Sequence, residues 1–325
     1  MLIVVAATII ACVFIGWSIG ANDAANCVGA AVGSRKISYR AGILITAIFG
    51  LLGALFIGHR VIKTVGKGIV PLDKLDPTLA MYIALAACFG AGLWVIFATY
   101  LRIPVSTSHS IVGAVGGAGM AVGAPVYWDK IGSIFVGWIA TPFGSALLAY
   151  LLYYPFRILL YRLLPVRIRE RALTYIIMLV SAYLAFSWGG NDVANATGVV
   201  MGSGITSSLT ATLIGGAAIM IGVMTWGYKV IETVGFKITR FIPIMTIVAQ
   251  FASALNVYVY TMMGLPVSTS HSIVGAVVGV GLVTGKRAFD SRLARDIIFA
   301  WAVTPFAAGF VSLLIMTFIK MCTGI

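Results

Sequence analysis

Charge is what this sequence has least of. Of its 325 residues only 10% are Asp, Glu, Lys or Arg, against about 25% in a soluble domain. With 61% hydrophobic residues, that deficit excludes a water-soluble globular protein. Acids are the scarcest charges: nine, against 22 lysines and arginines. An acid inside an apolar segment therefore calls for a reason. Alternation of apolar and polar residues with period two is absent, which argues against a membrane β-barrel. The four cysteines, Cys12, Cys27, Cys88 and Cys322, are dispersed and form no CxxC pair. Neither a disulfide framework nor a cysteine metal site is indicated. No basic region precedes the first apolar run, so that run is expected to be a retained span and not a cleaved signal.

What remains is a series of apolar runs, many of ~18 residues or more, the length that crosses a bilayer as a helix. The expected fold is an all-α polytopic membrane protein, embedded in the lipid bilayer of the cell (inner) membrane. The first run covers residues 2–20, the second 41–58 and the third 79–101. The fourth, 105–124, is built largely of Gly and Ala, which let helices approach closely in lipid. The fifth, 131–155, holds Thr141-Pro142 in its interior, where a proline kinks a helix. A polar stretch covers 59–78. A basic stretch, 156–171, reads as a linker. The net charge of +13 sits mostly between apolar runs, where Lys and Arg set orientation, and does not indicate nucleic acid.

The chain then repeats itself. Asn22-Asp23-Ala-Ala-Asn26 returns as Asn191-Asp192-Val-Ala-Asn195, and Ile62-Lys-Thr64-Val-Gly66 as Ile231-Glu-Thr233-Val-Gly235, both at an offset of 169 residues. PVSTSHSIVGA occurs letter for letter at 104–114 and 266–276, an offset of 162, and Thr141-Pro142-Phe143 returns as Thr304-Pro305-Phe306. The expected division is a first repeat over 1–165 and a second over 166–325, together one membrane domain. Each half has about five hydrophobic segments. If the third and fourth form a re-entrant hairpin, three cross the membrane. Either count is odd, so the halves enter from opposite sides, as the inverted repeats of secondary transporters do. Fifteen of the 22 basic residues fall in loops on one side. The positive-inside rule makes that side cytoplasmic and puts both termini outside.

Two constellations carry the chemistry. Asp23 and Asp192 close long apolar helices, flanked by Asn22, Asn26, Asn191 and Asn195. Positions i and i+4 share a helix face. Gly20 and Gly189-Gly190 are expected to let the helix break, bringing the carboxylate and freed carbonyls together. Such an oxygen set suits a hard cation, and intramembrane acids are usually functional. In PVSTSHS, Pro104 and Pro266 end one helix, and Ser106, Thr107 and Ser108, with Ser268, Thr269 and Ser270, open the next. A helix start offers free N–H groups and a positive dipole end to an anion. The plain alternatives are water-facing helix caps and two capped helices packed together. His109 and His271 suit packing or a supporting role. Neighbouring side chains on a helix diverge by about 100°, so Ser108 and His109 do not form a hydrolytic pair. Arg102 corresponds to Gly264, so a symmetric site does not need it. Thr64 and Thr233 read as structural, and Gln250 and Asn256 as cavity-lining or interhelical.

GANDAAN at 20–26, GGNDVAN at 189–195 and the doubled PVSTSHS resemble the inorganic phosphate transporter family of sodium- or proton-coupled phosphate symporters. The resemblance covers both halves. It implies a phosphate site formed by Ser106, Thr107, Ser108, Ser268, Thr269, Ser270, Asn22 and Asn191. It also implies cation sites at Asp23, Asn26, Asp192, Asn195, Asn22 and Asn191. Na⁺ is the expected coupling ion, with H⁺ as the alternative; no other cofactor is expected. Re-entrant hairpins, an elevator-like movement and a homodimer are further implications. Ala24, Cys27 and Gln250 depart from the usual family pattern, in which many members carry a glutamate in place of Gln250. Sulfate or another oxyanion, an anion channel and an intramembrane hydrolase are the rival readings.

Overall fold

Inside a bilayer every backbone N–H and C=O must find its partner within the protein, and a helix does this segment by segment. The apolar runs accordingly fold as helices. The structure, a computed structural model, describes residues 1–228, 242–285 and 291–324. In chain order the helices are α1 (Leu2–Gly33), α2 (Tyr39–Ile57), α3 (His59–Lys67), α4 (Pro77–Tyr100), α5 (Thr107–Ala121), α6 (Trp128–Leu163), α7 (Val166–Gly202), α8 (Ser208–Trp226), α9 (Pro243–Met262), α10 (Thr269–Thr284) and α11 (Ser291–Thr323). No strand occurs among the described residues. Eight of these helices are long and apolar enough to cross a membrane, making this a multi-pass membrane protein. The two that follow the PVSTSHS copies are shorter: α5 has 15 residues and α10 has 16.

Two expectations are corrected. Residues 156–171 are not a linker. α6 and α7, with 36 and 37 residues, run through almost all of that stretch and break only at Leu164-Pro165. At about 1.5 Å per residue each is far longer than a ~30 Å apolar core. The open end of α6 is closed by Arg169, whose guanidinium donates to the carbonyls of Tyr161 and Leu164. This is the usual stabilisation of a helix C-terminus by a cation. The first helix, in turn, does not stop near residue 20. It continues unbroken to Gly33.

The halves interlock. α5 lies along α11 and α10 along α6, while α1 packs on α8 and α2 on α7. Each pairing joins a helix of one half to a helix of the other, and the equivalent pairing recurs. The small residues explain the closeness. A Cβ on Gly113 would stand 2.0 Å from the carbonyl oxygen of Pro305, and one on Gly117 2.1 Å from that of Gly309. In the other pair the figures are 2.1 Å from Pro142 for Gly275 and 2.1 Å from Ala146 for Gly279. Contacts that step four residues at a time on both partners mean parallel helices packed ridge into groove.

The chain turns back before each tip in the same way. Arg102 N donates to Thr99 O and Ile103 N to Ala98 O; Gly264 N donates to Thr261 O and Leu265 N to Tyr260 O. This is the Schellman ending, which needs a left-handed residue. Arg102 has φ +60° and Gly264 φ +71°. Helix α4 thus ends at Tyr100, three residues before Ile103, and α9 at Met262, three before Leu265, ahead of the prolines expected to end them. Arg102 occupies a backbone position suited to glycine, and its side chain is exposed. Arg102→Gly is therefore expected to raise stability by about 1 kcal/mol. The thermal unfolding midpoint in detergent measures it, and a lower midpoint would contradict the assignment.

Candidate functional site

Asn22, Asp23 and Asn26 lie in the middle of continuous helix in α1, and Asn191, Asp192 and Asn195 likewise in α7. The expected break at Gly20 and Gly189-Gly190 does not occur. These glycines serve close approach instead. A Cβ on Gly20 would stand 1.9 Å from Ile219 O, and one on Gly189 1.9 Å from Gly50 O. The irregular backbone lies in the two tips, 101–106 and 263–268, between helices.

The asparagines divide the work. Asn22 holds the first tip: its Nδ2 donates to Thr99 Oγ1 (2.9 Å) and Ile103 O (3.2 Å), and its Oδ1 accepts from Val105 N (3.1 Å). Asn191 holds the second tip in the same way through Thr261 Oγ1 (2.9 Å), Leu265 O (3.0 Å) and Val267 N (3.1 Å). Asn26 turns the other way. Its Nδ2 donates to Asp23 Oδ1 (2.8 Å) and to Ser270 Oγ (3.0 Å) on the opposite tip. Asn195 does the same with Asp192 Oδ1 (2.9 Å) and Ser108 Oγ (3.0 Å). Asn22 and Asn26 therefore do not converge on one point, although they share a helix face. Each motif grips both tips.

The tips hold each other as well. Ser108 Oγ donates to Val267 O at 2.9 Å and Ser270 Oγ to Val105 O at 3.1 Å. Thr107 Oγ1 donates to Asp23 Oδ2 at 2.8 Å and Thr269 Oγ1 to Asp192 Oδ2 at 3.4 Å. Ser106 and Ser268 are N-caps, accepting from the N–H groups of His109 and His271. Ten of the twelve expected site residues thus fall into two matching sets around two facing helix starts, one running through Asn22, Val105, Ser270, Asn26, Asp23 and Thr107 and the other through Asn191, Val267, Ser108, Asn195, Asp192 and Thr269; Ser106 and Ser268 cap the helix starts beside them. Asp23 and Asp192 are each 1% exposed. The ion pairs found among the described residues, Lys36–Glu170, Lys67–Asp73 and Arg295–Asp296, involve neither of them. A pair of acids so buried is costly unless cations or protons compensate it. Asn195 Oδ1 is buried with no hydrogen-bond partner, as an oxygen prepared for a cation would be.

Other expectations find their places. Gln250 bridges three helices, donating to Cys27 O (2.7 Å) and accepting from Ser181 Oγ (3.1 Å). Asn256 donates to Thr141 O and Ser272 Oγ. Thr64 Oγ1 donates to Gly264 O (2.7 Å), supporting the second tip's turn. Thr233, with the rest of 231–235, lies outside the described residues. Ser108 and His109 have separate partners, Val267 O and Trp301 O, so no nucleophile–base pair exists there. Sequence reasoning missed Thr99, Thr261, Trp138 and Trp301. All four repeat at the offset of their neighbours, and that co-repetition was the available signal.

Comparison with known proteins agrees with this geometry. The sequence profile of the phosphate transporter family matches residues 19–312. A Pyrococcus furiosus protein named as a candidate phosphate permease is 33% identical, over 95% of this chain and 94% of its own length. Similarly named proteins of Chlamydia pneumoniae and Thermococcus kodakarensis are each 32% identical. They cover 93% and 94% of this chain, and 95% of each relative is covered. A solved structure described as the sodium-dependent phosphate transporter superimposes with a TM-score of 0.89 at 28% identity. The match covers 98% of this chain and 99% of that one.

Proposed function

This chain belongs to the phosphate transporter family, and we propose that it carries inorganic phosphate across the cell membrane by symport with Na⁺. It is a transporter and not an enzyme. The observation that carries the reading is the pair of buried carboxylates set directly behind two facing helix starts. The positive ends of the two helix dipoles suit a tetrahedral oxyanion, and the hydroxyls of Ser106, Thr107, Ser108, Ser268, Thr269 and Ser270 serve it when Thr107, Ser108, Thr269 and Ser270 turn their single protons from Asp23, Val267 O, Asp192 and Val105 O. Asp23, Asn26, Asp192 and Asn195, with the nearby tip carbonyls, form a hard-oxygen set suited to Na⁺. Asn22 and Asn191 act from behind as clamps on the tips, with one lone pair of each Oδ1 left for an ion. Sodium dependence in the solved relative supports this choice of cation.

In this reading residues 1–165 and 166–325 are inverted repeats, with both termini outside and each tip at the end of a re-entrant hairpin. The break at Leu164-Pro165 and the recurring cross-half pairings support that division. Transport then needs the tips and their carboxylates to move together, in an elevator-like step, and the chain works as a homodimer. Labelled phosphate uptake into proteoliposomes tests the function. Uptake should rise with an inward Na⁺ gradient, and Thr107→Ala should weaken phosphate affinity about tenfold, the worth of a bond to a charged group. Uptake driven by a pH gradient alone, or by sulfate in place of phosphate, would overturn it.

A further inference from the structure

In an α-helix the carbonyl of each residue accepts the N–H four positions on. Pro142 and Pro305 lie inside α6 and α11 and have no N–H, so the carbonyls of Trp138 and Trp301 lose their helical donor. Each finds a replacement in the other half of the chain. His271 Nδ1 lies 3.1 Å from Trp138 O, and His109 Nδ1 lies 3.1 Å from Trp301 O. A carbonyl can only accept, so Nδ1 carries the proton in both rings. The two repeats singled out separately in the sequence, Thr-Pro and the tip histidine, are therefore two ends of one bond.

The bond sits at the top of the parallel ladder already described. His271 and Gly275 are one turn apart and meet Trp138 O and Pro142 O; His109 and Gly113 meet Trp301 O and Pro305 O. The rings have little freedom. His109 lies tilted against Trp138 and His271 against Trp301 with centroids 3.8 Å apart, and the two imidazoles meet edge to face at 4.7 Å. Both histidines are 5% exposed. Each follows directly on the serine that crosses to the opposite tip, and lies two residues from the threonine that meets the aspartate.

We propose that His109 and His271 are positioning residues for transport: each fixes the start of its tip helix against the proline helix of the other half, and so sets the register of the tip hydroxyls. The proposal rests on the reading of the tips as the phosphate site. It places the working atom at Nδ1. Nε2, buried without a hydrogen-bond partner in both rings, is not required.

Asparagine carries its amide nitrogen where histidine carries Nδ1, whereas glutamine carries it nearer the place of Nε2. In proteoliposomes, His271→Asn should keep the phosphate KM within about twofold of the unaltered chain. His271→Phe or His271→Gln should raise it about fivefold or more, the worth of one buried hydrogen bond, with less change in maximal rate per folded transporter. Adding Pro142→Ala to His271→Phe supplies a helical N–H to the Trp138 carbonyl and should bring the KM back. If His271→Phe does not fold, the Asn and Gln pair gives the same comparison. A KM that stays put while only the unfolding midpoint falls would reduce the histidine to packing and overturn the proposal. So would a rise that Pro142→Ala leaves uncorrected, or an active Gln variant beside an inactive Asn variant. Failure of the unaltered chain to take up phosphate would overturn the transport reading instead, and shows in that control alone.

Discussion

Asp23→Asn and Asp192→Asn are each expected to abolish sodium-stimulated phosphate uptake. Charge is the reason. Phosphate near neutral pH brings one to two negative charges to a site that already holds two carboxylates, each 1% exposed. The two helix starts offset about one unit between them. The ion pairs found among the described residues supply nothing to either acid. Two Na⁺ ions would bring the cluster close to neutrality, and each would lower the cost of burying the anion. Binding of sodium and phosphate should then be mutually cooperative. Asparagine keeps the shape of aspartate and can still accept from Asn26 or Thr107, so the tips should hold. What it removes is the charge, and the loss should be about ten- to hundredfold for each ion site. Uptake measured against external Na⁺ decides the matter. A variant that retains its full sodium response would remove that aspartate from the ion site.

Gly113→Ala should destabilise the protein by about 2–3 kcal/mol, as overpacking of a tight interface does, while Gly116→Ala, three residues on, should not. On Gly113 the new Cβ would stand 2.0 Å from the Pro305 carbonyl oxygen, and the obstacle is backbone, which cannot swing aside. α5 would have to leave α11, carrying Ser108 and His109 with it. At Gly116 nothing lies within 4 Å of the same atom, and alanine's better helix propensity should add up to about 1 kcal/mol. Thermal unfolding of both variants in one detergent is the measurement. Equal midpoints would mean that α5 and α11 do not approach as closely as described.

The helical class, the multi-pass habit and the doubled motifs were legible because they depend on composition and on identity between two stretches of one chain. The twelve residues picked out for the site come together at the two tips, for a related reason: hydroxyls, amides and acids are rare enough in this chain that their grouping marks a place. Glycine was harder. In Gly20 and Gly189 the sequence offers a residue that either breaks a helix or lets another backbone come close. Only the neighbour distinguishes these, and Ile219 and Gly50 belong to other helices. The basic stretch at 156–171 misled because charge suggested a loop, while helix length is not capped by bilayer thickness.

By itself, then, the sequence determined that the chain crosses a membrane as helices, that its polar motifs recur at matched offsets, and which polar residues are set apart from its apolar background. Those properties are local or comparative, and survive without coordinates. Tertiary structure decided which partner each polar group takes. It gave Asn22 to its own tip and Asn26 to the opposite one, and it joined the carbonyl freed by Pro142 to a histidine 133 residues away. Hydrogen bonds of that reach depend on how two helices happen to lie side by side, and no spacing along the chain encodes it.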